Sequence, residues 1–446
     1  MTQAFDAAEQ QALLEARVAS ALDLARRLGA NACEVGASVD QGIGVSVRLG
    51  EVESVELSRD QGIAVTVFVG SRKGSASSSD AGEASIRAAV EKAIGIAHYT
   101  GEDPHAGLAP AELMATELPD LEVHHPWRLS TDEAIELALA CESAGRGVAG
   151  ISNSDGASLS SGEGVRVYGN SHGFLGSLCG SRHSLSCMLI AEDDSGMQRD
   201  YEYTSERDPA RLVAAETVGR QAADKTLRRL GAKRPSTGRF PVLFDPQLAA
   251  GLIGHLMSAI AGGAVYRDAS FLCGRLGETL FPSWFTLGER PLEVGASASA
   301  PFDNDGVYTR DNVFIDQGRL ASYMLSAYSA RRLGMHGTGN AGGARNLRLE
   351  APLTPHAALL QQLGTGVLVT ELMGQGVNGV TGDYSRGAAG FWVENGVIQH
   401  PVEEFTIAGN LEQMFRGLVA VGDDVDTRGS IHSGSWLIDE LTIAGS

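Results

Sequence analysis

FPVLFDPQLAAGLIGHLMSAIAGGAVYR, residues 240–267, opens on an apolar run and closes on a glycine pair. Val242, Leu243 and Phe244 make a short buried strand. Asp245 is placed to cap the free amides of the next turn, and Pro246 suits a first helical position, where no N–H is needed. Leu248, Leu252, Leu256 and Ile260 then recur every four residues with Ile253 beside them, and Gly262 and Gly263 supply a stop. A strand feeding directly into a core helix is expected.

That helix carries one histidine, His255. Catalytic zinc needs about three protein ligands, an open position for water and a carboxylate to take the water's proton. Leu256 and Ile260 supply neither ligand nor base. His255 therefore reads first as a packed or partner-facing side chain, and as a metal candidate it has no companions.

Several strings follow this stretch in order: AVYRDASFLCGRLGETLFPSWFTL, PFDNDGVYTRDN, SAYSARRLG, TGNAGGARN and VNGVTGDYSRGAAGFWVENG. With residues 240–267 they make the chain resemble the TldD/PmbA family of metallopeptidases, and more closely its PmbA (TldE) branch. In that family the TldD branch carries a His-Glu-x-x-x-His helix and a Cys near the C-terminus as its zinc site, and pairs with a PmbA-type chain. Carried over by position, the first His falls on His255, the Glu on Leu256, the second His on Ile260 and the Cys-Gly on Ser433-Gly434. The resemblance thus implies a member with no catalytic residue and no zinc of its own, whose zinc resides in a TldD-like partner. The implied substrates are unfolded or extended peptides, and a homodimer of the isolated chain stays open. Two other readings also stay open: a free-standing metallopeptidase using His255, and a non-enzymatic peptide-binding module.

Composition narrows the classes. A net charge of −20 without a basic stripe argues against nucleic acid, whose binding rests on Lys and Arg. No run approaches the ~18 apolar residues of a membrane span, and MTQAFDAAEQ lacks a leader pattern, so a cytoplasmic protein is expected. The five cysteines (33, 141, 179, 187 and 273) show no C-x-x-C spacing, which points to reduced thiols.

Upstream, an amphipathic helix is expected over 8–29, with Leu14, Val18, Leu22, Ala25 and Leu28 on one face. DQGIGVSV from Asp40 and DQGIAVTV from Asp60 read as glycine turns followed by alternating strands. Asp80 with Glu83 starts a second helix bearing Ile86, Val90, Ile94 and Ala97. Residues 100–128 read as a connector. Ser130 and Glu133 cap a short helix over Ile135 to Ala140, strands run from Ile151 to Tyr203, and Asp208-Pro209 opens a helix to Gly231. The organisation is α+β: a unit over 1–100, a second over 129–232 packed with it, and a strand-rich unit with a few helices over 239–446. Asn395-Gly396 marks a hairpin.

Other motifs fail on context. GTGNAG at Gly337 leads into a strand, NLRLE, where a dinucleotide fingerprint needs a helix. GNSHG at Gly169 has no following helix to make a nucleophile elbow, and Ser171 sits among strand-like residues. His124-His125 reads as surface, and the DNDG at Asp303 as a turn. The glycine runs 337–343 and 374–382 would let a backbone approach another chain closely, or are ordinary turns.

Overall fold

The computed structural model describes residues 5–445; residues 1–4, part of the N-terminal stretch read above for a leader, and Ser446 lie outside the described residues. The first half runs α1 (Ala7–Arg27), β1 (Ala32–Arg48), β2 (Glu51–Val69), β3 (Arg72–Ser78), α2 (Glu83–Tyr99), α3 (Thr131–Arg146), β4 (Ile151–Asn170), β5 (Leu175–Asp193), β6 (Gly196–Glu206) and α4 (Ala215–Leu227). Its six strands form one antiparallel sheet, ordered β3-β2-β1-β4-β5-β6. Residues 1–100 and 129–232 share that sheet through the pairing of β1 with β4.

Side chains alternate across a strand, so each sheet face has its own chemistry. Val35, Ala37, Val39, Val65 and Val165 are buried under α1 and α2. Farther along the same face, Val45, Leu159, Leu185 and Leu189 are buried under α3 and α4. All four helices cover one face and leave the other bare. Between the two helix pairs sits His183, 1% exposed. Its Nε2 donates to the His125 carbonyl at 2.9 Å, so Nδ1 accepts from Ser161 Oγ at 2.8 Å; burial lowers its pKa and favours this neutral form.

Several expectations are corrected here. Gly42, Gly44 and Gly62 are not turns but lie inside β1 and β2, with Asp40 opposite Asp60. The chain reverses at Leu49 and Gly50, both left-handed, whose N–H groups donate to the buried Glu142 carboxylate of α3 at 2.7 and 2.8 Å. The helix expected from Asp208-Pro209 is one 3-10 turn, Pro209–Arg211. Thr204 Oγ1 accepts from Val213 N at 3.1 Å and keeps the chain extended until α4 starts at Ala215. The short helix over 135–140 is the middle of the longer α3, closed by the Ser130–Glu133 capping box. Asp80 holds Gly82 N and Ser85 Oγ, while Gly82 occupies the cap of α2 with no side-chain bond. Leu28 is the C-cap of α1 and lies exposed. Ser171 sits in the turn joining β4 to β5, where its Oγ accepts from Cys33 N at 3.1 Å.

The second half runs β7 (Gly238–Phe244), α5 (Pro246–Ala259), α6 (Gly262–Val265), β8 (Thr286–Glu289), β9 (Val313–Asp316), β10 (Arg319–Leu320), α7 (Ala327–Leu333), β11 (Leu347–Glu350), β12 (Leu353–Thr354), α8 (His356–Leu363), β13 (Gly366–Met373), β14 (Asp383–Glu394), β15 (Val397–Asn410), α9 (Leu411–Arg416), β16 (Leu418–Gly422), β17 (Ile431–His432) and β18 (Trp436–Ala444). One sheet is ordered β10-β9-β8-β11-β17. In the other, β7 pairs with both β13 and β18, so β7, β13, β14, β15 and β18 close into a ring, and β16 and β12 extend from β18. The fold is α+β, with a strand-rich C-terminal half.

The halves are tied at several points. The Arg331 guanidinium of α7 donates to the carbonyls of His105, Gly107 and Leu108 in the connector at 2.7 to 2.9 Å. Phe174 packs edge-on against Phe302, and Arg428 bonds Glu202 at 2.5 Å while lying over the Tyr203 ring.

Candidate functional site

Two places answer to the sequence analysis: the α5 helix, and the cleft on the bare sheet face. Asp245 caps α5 by accepting from Gln247 N at 3.1 Å, and Pro246 stands first in the helix. The helix ends at Ala259, three residues before the expected stop at Gly262, because Ile260 O and Gly262 N both bond Met324 backbone. Gly262 instead opens α6, and a Cβ there would lie 2.3 Å from Ser329 Oγ.

His255 is half-buried, with its ring edge-on to Tyr384 at 6.2 Å; burial and the nearby Arg386 lower its pKa. Leu256 and Ile260 are fully buried in the main core with Leu252 and Ile253. Ser433, 1% exposed, follows β17, and its Oγ accepts the Trp436 indole N–H at 2.9 Å. A zinc does not fit these four residues: two of the positions are aliphatic core and the serine hydroxyl is engaged by an indole. Among the described residues no group of three or more His, Cys, Asp or Glu comes together as a metal site.

The cleft holds about 1130 Å³ between the bare sheet face and loops of the second half. Its floor is made of small residues, among them Ser38 and Gly42 of β1, Gly62 of β2, Gly162 and Gly164 of β4, and Gly180 of β5. Such a floor leaves room for a backbone to lie close.

The wall opposite is lined by Phe302, Asp303, Asn304 and Arg345, with Ala298 to Ala300 beside them, and is held from behind by Glu289. Glu289 of β8, 1% exposed, accepts from Asn312 Nδ2 at 2.6 Å, Asn340 Nδ2 at 2.7 Å and Arg345 N at 2.7 Å. Asp303 accepts from Asp305 N, Val307 N and Ala341 N at 2.9 to 3.0 Å; burial, despite these bonds, raises its pKa to about 6. The glycine run 337–343 is therefore pinned against Asp303 and Glu289. The run 374–382 connects β13 to β14 and does not line the cleft. His124 pairs with Glu163 at 3.1 Å on the helix-covered face.

Three family models match consecutive parts of the chain: PmbA/TldA metallopeptidase domain 1 over residues 33–97, the central domain over 124–230 and the C-terminal domain over 237–445. Metalloprotease PmbA of Escherichia coli O157:H7 is 48% identical over 98% of this chain and 97% of its own length. The chain belongs to the PmbA/TldA metallopeptidase family. The PmbA homologue of Haemophilus influenzae is 46% identical, again over 98% of this chain and 97% of its own. Among solved structures, a Bacteroides thetaiotaomicron protein described as a candidate modulator of DNA gyrase superposes with TM-score 0.91 at 27% identity, covering 97% of this chain and 99% of its own. TldE of Thermococcus kodakarensis shares the fold, with TM-score 0.85 at 20% identity over 96% and 100% of the two chains. The family's fold is thus kept through both halves, while Leu256 of α5 and Ile260 just beyond its end are aliphatic core.

The wall network and the arginines of the cleft escaped the sequence reading. Asn312 and Asn340 lie in the quoted strings and Glu289 between two of them, and no spacing within any one string reports that they meet.

Proposed function

We propose that this chain is the PmbA-like (TldE-like) subunit of a cytoplasmic metallopeptidase that cleaves unfolded or extended peptides, with zinc and general base supplied by a TldD-like partner chain. The observation that carries this is the filling of the α5 site. Leu256 and Ile260 are core, Ser433 is bonded to Trp436, and the family fold around them is complete. A chain that keeps the architecture but lacks donors can shape a neighbour's active site without making its own hydroxide nucleophile. An open cleft floored largely by glycine and serine suits an extended backbone and not a folded domain. Among the described residues no helix is long and apolar enough to cross a membrane.

The test is to assay this chain alone, and mixed with a TldD-like chain of the same organism, on an unstructured peptide and on a compact domain. Cleavage of the peptide by the mixture only, blocked by a chelator, is expected. Chelator-sensitive cleavage by this chain alone at the mixture's rate would favour a free-standing metallopeptidase using His255.

A further inference from the structure

The cleft carries charges of both signs. Asp40 and Glu56 stand on the β1–β2 flank and Asp303 on the opposite wall, while Arg166, Arg182 and Arg207 stand on or over β4 and β5, and Arg345 reaches in from that wall. None of the four arginines has a carboxylate oxygen within 4.0 Å among the described residues, in a protein of net charge −20. Arg207 donates to the carbonyls of Ser181, at 3.0 Å, and Ser297; Arg345 donates to the Phe302 carbonyl at 3.2 Å. The Nε of each is buried without a partner. Arg207 lies near Arg182, and Arg345 near Arg166; burial first and then Arg182 lower the pKa of Arg207, whereas burial lowers that of Arg345 against the pull of Asp303 and Glu289. Four arginines gathered with no carboxylate in direct contact mark a place for an anionic guest.

Register gives the spacing. Arg166 of β4 faces Leu178 of β5, Gly164 faces Gly180, and Gly162 faces Arg182. A Cβ on Gly180 would lie 2.8 Å from Arg207 Nη1, so Arg207 covers the middle row. Arg166, Arg207 and Arg182 thus mark three successive rows, each two residues or about 7 Å from the next. An extended peptide sets its same-side side chains at that same interval.

We propose that the cleft binds an extended peptide carrying acidic side chains at every second residue, laid along β4 and β5 with Arg345 above it. The proposal rests on the extended-peptide reading and narrows it to acidic segments. A single-stranded nucleic acid is disfavoured because the glycine and serine floor offers no stacking platform for bases.

The test is fluorescence anisotropy on the full chain, with three labelled probes: a peptide alternating glutamate with serine, its glutamine counterpart, and a single-stranded oligonucleotide. The glutamate peptide should bind about tenfold tighter than the glutamine one, a margin two or three exposed charge contacts supply, and the margin should shrink with added salt. The exposed pair Arg166→Gln and Arg182→Gln should bring the two peptides within about twofold of each other. Arg87→Gln, on the outer surface of α2 where it pairs with Glu91, should leave the margin intact. Equal binding of the two peptides to the unaltered chain overturns acid selection but leaves peptide binding standing. Binding of neither peptide overturns both, and an oligonucleotide that binds tighter than the glutamate peptide overturns the assignment to peptide.

Discussion

The Trp436 indole N–H reaches Ser433 Oγ at 2.9 Å, and that hydroxyl in turn donates to the Gly434 carbonyl at 3.1 Å. Ser433 is thus the partner of a fully buried tryptophan that stacks edge-on with Phe281 and Phe285. Ser433→Ala would leave the indole donor unpaired in the core. A loss of about 1–3 kcal/mol is expected, read by denaturant unfolding; an unchanged midpoint would show that the bond contributes nothing.

Restoring a His-Glu-x-x-x-His pattern with Leu256→Glu and Ile260→His should not create a zinc site. Both side chains are fully buried, so the glutamate meets hydrocarbon and stability should fall by about 3–5 kcal/mol without a compensating charge. Ser433→Cys added to the pair should raise zinc retention, since a thiolate binds zinc where a hydroxyl does not. Metal analysis after gentle purification reads both, and the unaltered chain is expected to hold no stoichiometric zinc. One zinc per unaltered chain, lost on His255→Ala, would overturn this.

Helices α3 and α4 cross on two glycines. A Cβ at Gly219 would lie 1.9 Å from the Cys141 carbonyl, and one at Gly145 2.5 Å from Leu189 and 2.6 Å from the Gly219 carbonyl. Gly219→Ala must push the helices apart, at a cost of about 1–3 kcal/mol. A thermal melt decides it; no change in Tm would mean that the helices separate freely.

His356 and Asp424 form an ion pair at 3.3 Å. The Asp424 bond raises the His356 pKa, while burial opposes the Asp424 charge but is outweighed by bonds from His356 and Ser435, leaving its pKa at about 2. The raised histidine contributes stability below its unfolded pKa and loses it as pH rises through the folded value. The lowered aspartate contributes above its unfolded pKa and loses it as pH falls toward 2. The pair therefore helps most between about pH 4 and 6.5. His356→Ala should cost more at pH 5.5 than at pH 9, with a difference of at most about 1 kcal/mol because His356 is 42% exposed. Equal loss at both values would refute it.

Helix α2 was legible because it buries the periodic stripe on which it was read: Ile86, Val90, Ile94 and Ala97 are all buried. α5 was legible through its cap and its proline. The long β1–β2 hairpin was not, because Gly42, Gly44 and Gly62 look like turns unless one knows that their side of the sheet faces a cleft that needs no side chains. The cleft's arginines were invisible for a different reason. Arg166, Arg182, Arg207 and Arg345 come from separate strands and loops, and only register brings them into rows. Around His255 the sequence did report the missing donors, but not that Ser433 would be taken up by Trp436.

Closure of the ring by β7 and β18 also constrains the order of events during synthesis. Phe244 pairs with Trp436, so one side of β7 waits for almost the whole second half to be made, while its other neighbour, β13, is itself more than a hundred residues downstream. The first half has no such wait, since four of its five strand pairs join consecutive strands. Distant pairings form late because the loop must close before contacts reward it. The nascent chain should thus present a finished first sheet, with its glycine face uncovered, before the loops that roof the cleft are in place; pulse-labelled hydrogen exchange would show β1, β4 and β5 protected ahead of β7.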